Sequence, residues 1–264
     1  MKKIMTLAAM FAAVAMTFSA CNKEQKPDNG GNENGGGTTT NTCPDCGEDP
    51  CVCEPEYESP ISIDGDFADW DALDPSKVAV TECAAEAKDP ALKVLKVYAD
   101  EVYINLYFEY DETALTNGTA AFDIYLNQDA DLGGADDEHW LSQANVDYLL
   151  EDESIIVDGT WESFDPGMFH YTGPVDTWDW SWEEIMSSGS GIASGAGNGN
   201  KYELAVMIEM LMGVELADTF SLGCILTDID AAGAWNGVGC IPNTDVTDDN
   251  PTGSVNFLEV KADK

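Results

Sequence analysis

Between Asn127 and Glu138 the chain reads NQDADLGGADDE, and its oxygen-bearing side chains are spaced to converge. Asn127, Asp129 and Asp131 alternate, Gly133 and Gly134 let the backbone fold back, and Asp136, Asp137 and Glu138 follow. Gathering carboxylates costs Coulomb repulsion that a hard cation relieves, and Ca²⁺ takes oxygen ligands of this kind from flexible loops. These six residues are therefore the candidate metal ligands, with Ca²⁺ as the candidate cofactor. The competing reading is a solvated acidic loop, because a chain with 50 Asp+Glu makes such runs by chance. Asp228 and Asp230, at the end of an expected strand, form a second and weaker pair.

Counted from Asn127, the first, third, fifth and twelfth places of an EF-hand loop hold Asn127, Asp129, Asp131 and Glu138. Leu132 stands where that loop requires glycine, and a strand rather than a helix leads in, so the segment is not an EF-hand. His139 adjoins the loop and is read as a surface residue.

Aromatic spacing offers a second chemistry. Trp178, Trp180 and Trp182 recur at period two, so a strand there presents three indoles on one face. Trp180 and Trp182 are read as core. Trp178, Trp161 in the turn-rich GTWESFDPG and Trp235 in the loop-like AGAWNGVG are read as surface residues able to stack on the C–H faces of sugar rings. Trp70 and Trp140 are read as structural.

Catalysis finds no support. The two histidines, His139 and His170, sit in no HExxH pattern and beside no recognisable nucleophile. The glycines of residues 189–199 have no phosphate-cradling spacing, and a glycosidase pair cannot be singled out among so many acids. No catalytic residue is assigned, and the chain is read as a non-enzyme.

The elements that must position these residues are strands. In Val102–Tyr110 the alternation is clean: Val102, Ile104, Leu106, Phe108 and Tyr110 face one way, and Tyr103, Asn105, Tyr107 and Glu109 the other. Leu92–Tyr98 pairs with it across Ala99-Asp100-Glu101. Further strands are expected at Val78–Cys83, Thr119–Asn127, Val146–Glu151, Ser154–Val157, Met168–Tyr171, Ile192–Gly197, Tyr202–Ile208, Phe220–Thr227 and Val255–Val260. Helix is expected only near Asp111–Leu115, Trp182–Ser187 and Ile208–Met212. Many short strands between turn residues predict an all-β, two-sheet antiparallel β-sandwich, jelly-roll-like, following a disordered N-terminal tether.

The front of the chain reads differently. Lys2 and Lys3 precede an apolar run from Ile4 to Phe18, the length of a secretory core, and Ser19-Ala20 lead into Cys21. This resembles a lipoprotein signal, which implies cleavage before Cys21, lipidation of its thiol, and export to an outer-membrane or cell-surface location. Residues 1–20 are thus read as signal peptide, 21–58 as a flexible linker and 59–264 as the sandwich. Asn22–Thr42 is nearly free of apolar side chains and cannot offset its ordering entropy. Within the linker, Cys43, Cys46, Cys51 and Cys53 have spacing open to two small disulfide loops, favoured by an oxidising compartment, to a zinc knuckle, or to idle thiols. Cys83, Cys224 and Cys240 lie in the sandwich, with Cys224–Cys240 the pair suggested by proximity in sequence.

Charge narrows the partners. All 11 basic residues are lysine, and the formal net charge is −39. No arginine fork is present for phosphate, and so negative a field repels nucleic acids. Neutral glycans, cations and other surface proteins remain.

The stretch Ile63–Trp70, IDGDFADW, resembles the opening of the β-sandwich domains of family-nine carbohydrate-binding modules and the DOMON-like group. Leu95–Asp111, the strand and acidic loop of Phe122–Asp137, Asp147–Glu151, Trp180–Trp182 and Tyr202–Ala205 follow in the same order. The resemblance implies a two-sheet sandwich and, in some members, calcium and sugar binding. The expected function is a carbohydrate-binding lipoprotein, with calcium dependence implied by the resemblance to those members; the alternative is a structural or adhesion lipoprotein that contacts protein partners without binding sugar.

Overall fold

The computed structural model describes residues 57–85, 87–128, 146–174, 181–211, 214, 216–243 and 257–264. Its contacts divide the chain into Met1–Ser59 and Pro60–Lys264, and all the elements below belong to the second unit. In chain order the first strands are β1 (Ala79–Glu82), β2 (Leu92–Ala99), β3 (Tyr103–Tyr110), β4 (Ala120–Asn127), β5 (Tyr148–Val157), β6 (Thr160–Trp161) and β7 (Gly167–Tyr171). They are followed by β8 (Trp182–Met186), β9 (Ala193–Asn198), β10 (Lys201–Met207), β11 (Thr219–Ile229), β12 (Trp235–Ile241) and β13 (Leu258–Lys261).

These strands build a two-sheet antiparallel β-sandwich. One sheet has five strands in the order β1-β2-β3-β10-β9. The other has eight: β12-β11-β4-β5-β7-β8, with β13 on β11 and β6 on β5. The alternation of β3 sends Ile104, Leu106, Phe108 and Tyr110 into the space between the sheets. There Phe108 stacks on Phe122 of β4 at 4.5 Å between ring centroids, joining the two layers. Each fully buried side chain of this size contributes about 1.5–3 kcal/mol, so the inter-sheet core is the main source of stability.

Both outer faces are partly covered as well. On the eight-stranded sheet Tyr125, Leu149, Tyr171 and Ile225 form a separate apolar cluster, which is why every residue of β4 is buried. On the five-stranded sheet the segment Ile61–Leu73, containing the single helical turn α1 (Ala68–Ala72), lays Ile61 and Trp70 against Tyr98 and Tyr107. Ile61–Ile63 belongs to no strand. Backbone N–H groups of Asp64 and Gly65 instead donate to Oε1 of Glu203 at 3.0 and 2.8 Å, and the Trp70 indole donates to Oε2 at 3.0 Å. Glu203 is wholly buried. A carboxylate facing outward from β10 thus fastens the opening segment to the sheet.

Other expectations change through tertiary pairing. Trp182–Ser187 is not helical: its residues pair with β7 as strand β8, where ladder hydrogen bonds outweigh the helix preference of Glu and Met. The loop expected around Trp235 is strand β12, paired with β11. Val146–Glu151 and Ser154–Val157 merge into one ten-residue strand, β5. The helices expected near residues 111–115 and 208–212 are single 3-10 turns, Glu112–Ala114 and Ile208–Met210.

Cys224 and Cys240 do not bridge. The register places Cys224 opposite Ile241 and Ile225 opposite Cys240, so the two thiols point to opposite faces of one sheet. Cys224 joins the inter-sheet core and Cys240 the outer cluster, and no disulfide joins the described cysteines Cys83, Cys224 and Cys240.

Candidate functional site

A cleft of about 720 Å³ lies on the outer face of the eight-stranded sheet. Period two decides what lines it. In β4, Phe122, Ile124 and Leu126 enter the inter-sheet core, so Asp123 and Tyr125 turn outward. In β11, Cys224 and Leu226 go inward while Ile225 and Thr227 face the cleft. Asp123 pairs with Glu151 of β5 across the ladder and with Ile225 on its other side. Two carboxylates directly opposite one another on neighbouring strands oppose folding. They also offer several acceptor oxygens on one patch.

Strand β12 supplies the aromatic wall. Its register against β11 shifts between Leu226 and Thr227. Cys240 opposes Ile225, and after the bulge Gly237 opposes Thr227 and Trp235 opposes Ile229. The extra residue re-aims the strand, so that Trp235 shares the outer face with Thr227 and Ile225. Trp235 is 41% exposed, high for an indole. Beside it a side chain at Gly237 would meet nothing within 4 Å, so open space adjoins the ring. Asn236 also lines the cleft; its Nδ2 donates to the Asp228 and Ala234 carbonyls at 3.2 and 3.3 Å.

Lys88 and Asp89 close the opposite wall from the β1–β2 connection. That connection is tied to β12: the Ala91 N–H donates to the Val238 carbonyl and the Cys240 N–H to the Asp89 carbonyl, at 2.9 and 3.1 Å. The cleft therefore rests on hydrogen-bonded backbone along its floor and one wall. It combines an exposed indole, a phenol, two facing carboxylates and an amide, the mixture of apolar surface and placed polar groups that orients a small polar ligand.

The residues expected from the sequence are distributed as follows. Asn127 is buried at the end of β4. Asp129, Asp131, Asp136, Asp137 and Glu138 lie outside the described residues, as do Trp178, Trp180, His139 and Cys21. Among the described residues no group of three or more His, Cys, Asp or Glu is placed to hold a metal ion. Asp228 is buried and its oxygens accept from the backbone and side chains of Thr116 and Asn117, at 2.7–3.2 Å. Asp230 accepts from the N–H groups of Ala232 and Ala234. This pair shapes turns.

Trp161 and Trp235 are not brought together. Trp161 packs at the rim of the inter-sheet core, stacked on Tyr202 at 4.7 Å with its indole N–H donating to the Gly199 carbonyl at 3.1 Å. Trp182 is half-buried against Tyr171, and His170 stacks on Tyr148 at 5.0 Å. The cleft residues Asp123, Tyr125, Glu151, Thr227 and Asn236 were not singled out from the sequence. A signal existed in FDIYLN, where Asp and Tyr alternate with a run of apolar residues and must occupy the opposite face.

No known family model matches the chain, and no curated protein sequence does. Among solved structures the chain is similar to a family 9 carbohydrate-binding module from Caldicellulosiruptor kristjanssonii in complex with cellotriose, at TM-score 0.36 and 12% identity, covering 78% of this chain and 90% of that one. The same module in complex with glucose is similar at TM-score 0.36 and 12% identity, covering 78% and 92%.

Proposed function

We propose that the chain is an exported, lipid-anchored carbohydrate-binding module that holds a neutral glycan in the Trp235 cleft. The observation that carries the reading is the indole of Trp235, exposed at the edge of a cleft that also presents Asp123, Glu151 and Asn236. A pyranose offers an apolar C–H face and a rim of hydroxyl groups, and an aromatic plane beside carboxylate and amide acceptors meets both. With a net charge of −39 the chain disfavours polyanionic ligands, while a neutral sugar carries no such penalty.

Titration calorimetry with cellotriose, xylotriose, mannotriose and laminaritriose tests the reading. Trp235→Ala and Asp123→Asn each weaken binding about tenfold or more, with the folded state retained. Binding of none of the four, or equal affinity in both variants, overturns it. The anchor is tested by incorporation of labelled palmitate, lost in Cys21→Ala; the acidic loop at Asn127–Glu138 is tested as a Ca²⁺ site by thermal melting. A Tm that rises with Ca²⁺ and falls with chelator supports the metal, and an indifferent Tm removes it.

A further inference from the structure

A second cleft, of about 370 Å³, opens where the β5–β6 hairpin meets the end of the five-stranded sheet, and it shares no lining residue with the Trp235 cleft. Its volume is at the lower end of the roughly 300–1,000 Å³ of small-ligand sites. Asp158 and Gly159, with φ of 50° and 73°, form the two-residue turn of the hairpin and deliver Trp161 onto β9 and β10. The ring rests on the Gly197 backbone so closely that a Cβ there would come within 2.3 Å of it. Tyr202 stacks beneath it, Tyr110 meets it edge-on at 5.5 Å, and the Gly199 carbonyl holds its N–H. The half-buried ring is thus held from several sides. The indole is a rigid platform, which lowers the entropy cost of stacking a ligand on it.

The rest of the cleft is polar and backbone-rich. Gly118, Gly159 and Gly199 line it without side chains, and a Cβ at Gly159 or Gly199 would meet nothing within 4 Å. Glu112 supplies a carboxylate, and a shallower groove continues past Tyr110 and Glu112 to Thr113 and Asn200. The cation of that groove, Lys93, already pairs with Asp111 at 3.7 Å. A firm aromatic plane, bare peptide groups and a carboxylate with no unpaired cation select an uncharged polyhydroxylated ligand over an anion.

The geometry points to a second glycan-binding site at Trp161, taking one or two rings of a neutral oligosaccharide. It rests on the reading of the domain as a glycan binder for its ligand class, and on its own residues for its position. Two sites on one domain let a single polysaccharide engage both, raising avidity without any new contact.

Amide shifts in ¹H–¹⁵N spectra during titration with the four trisaccharides named above test it. The amides of Gly118, Gly159 and Gly199 move and saturate. In Gly159→Asn, a residue that tolerates positive φ and whose side chain extends into the cleft, affinity at these amides falls about tenfold while shifts at Asn236 and Gly237 persist. Trp161→Ala abolishes the response, but because Trp161 also packs on the core the asparagine variant decides. Shifts at Asn236 and Gly237 with none at the three glycines overturn the second site and leave the first; the reverse pattern keeps the second and removes the first. No shift at either place, or unchanged glycine shifts in Gly159→Asn, overturns the second site.

Discussion

The fastening of the opening segment by Glu203 makes a prediction whose size follows from geometry. Trp70→Phe removes the indole N–H and Glu203→Gln removes the acceptor, so each single change breaks the 3.0 Å bond. Glu203→Gln keeps an oxygen for Asp64 and Gly65 but turns an amide donor toward the Trp70 donor. A hydrogen bond to a charged acceptor contributes about 1.5–3 kcal/mol. Desolvation of the carboxylate is present with either residue at position 70, so a double-mutant cycle cancels it. The coupling measured by urea denaturation at pH 7 is then about 2 kcal/mol. A coupling below about 0.5 kcal/mol refutes the view that this bond fastens the segment. Burial raises the Glu203 carboxyl above its ordinary 4.5, against the lowering effect of its three hydrogen bonds. The folded chain therefore holds that proton more tightly than the unfolded chain. The stability it lends is fully present below pH 4.5 and is lost as pH rises through the folded value. Wild type minus Glu203→Gln accordingly becomes more favourable as the pH is lowered toward 4.5, and a difference independent of pH contradicts the raised carboxyl.

Other outcomes follow from single contacts. Gly197→Ala pushes a methyl into the Trp161 ring, costing about 1–3 kcal/mol by urea denaturation and shifting tryptophan emission to the red. Asp228→Ala strands the donors of Thr116 and Asn117, lowering stability by about 2–4 kcal/mol and speeding amide exchange at those two residues. Phe122→Ala removes a ring stacked on Phe108 in the inter-sheet core and costs about 3–5 kcal/mol, whereas Trp235→Ala, at an exposed site, changes the urea midpoint little. Cys224→Ser puts a hydroxyl where a wholly buried thiol packs in the inter-sheet core and lowers the urea midpoint, because a buried hydroxyl has to give up its water.

Local pattern carried much of the fold. Strict alternation in Val102–Tyr110 required a strand with one apolar face, and the polar break at Asp100-Glu101 required a hairpin; both are present because side-chain period and turn chemistry act over a few residues. The Trp182–Met186 segment misled for the complementary reason, since Glu and Met favour helix locally and only pairing with β7 imposes a strand. Trp235 could be recognised in the sequence as a surface tryptophan, but not its neighbours. Asp123, Glu151 and Thr227 come from three strands, and their meeting depends on the β4–β5 and β4–β11 registers. The bulge that turns Trp235 to the same face is likewise a property of paired strands. What the sequence alone determined was an all-β sandwich rich in acid, because periodicity and charge are one-dimensional. Which residues share a cleft was decided only by the tertiary structure, because strand order and register bring together positions that nothing in the linear chain relates.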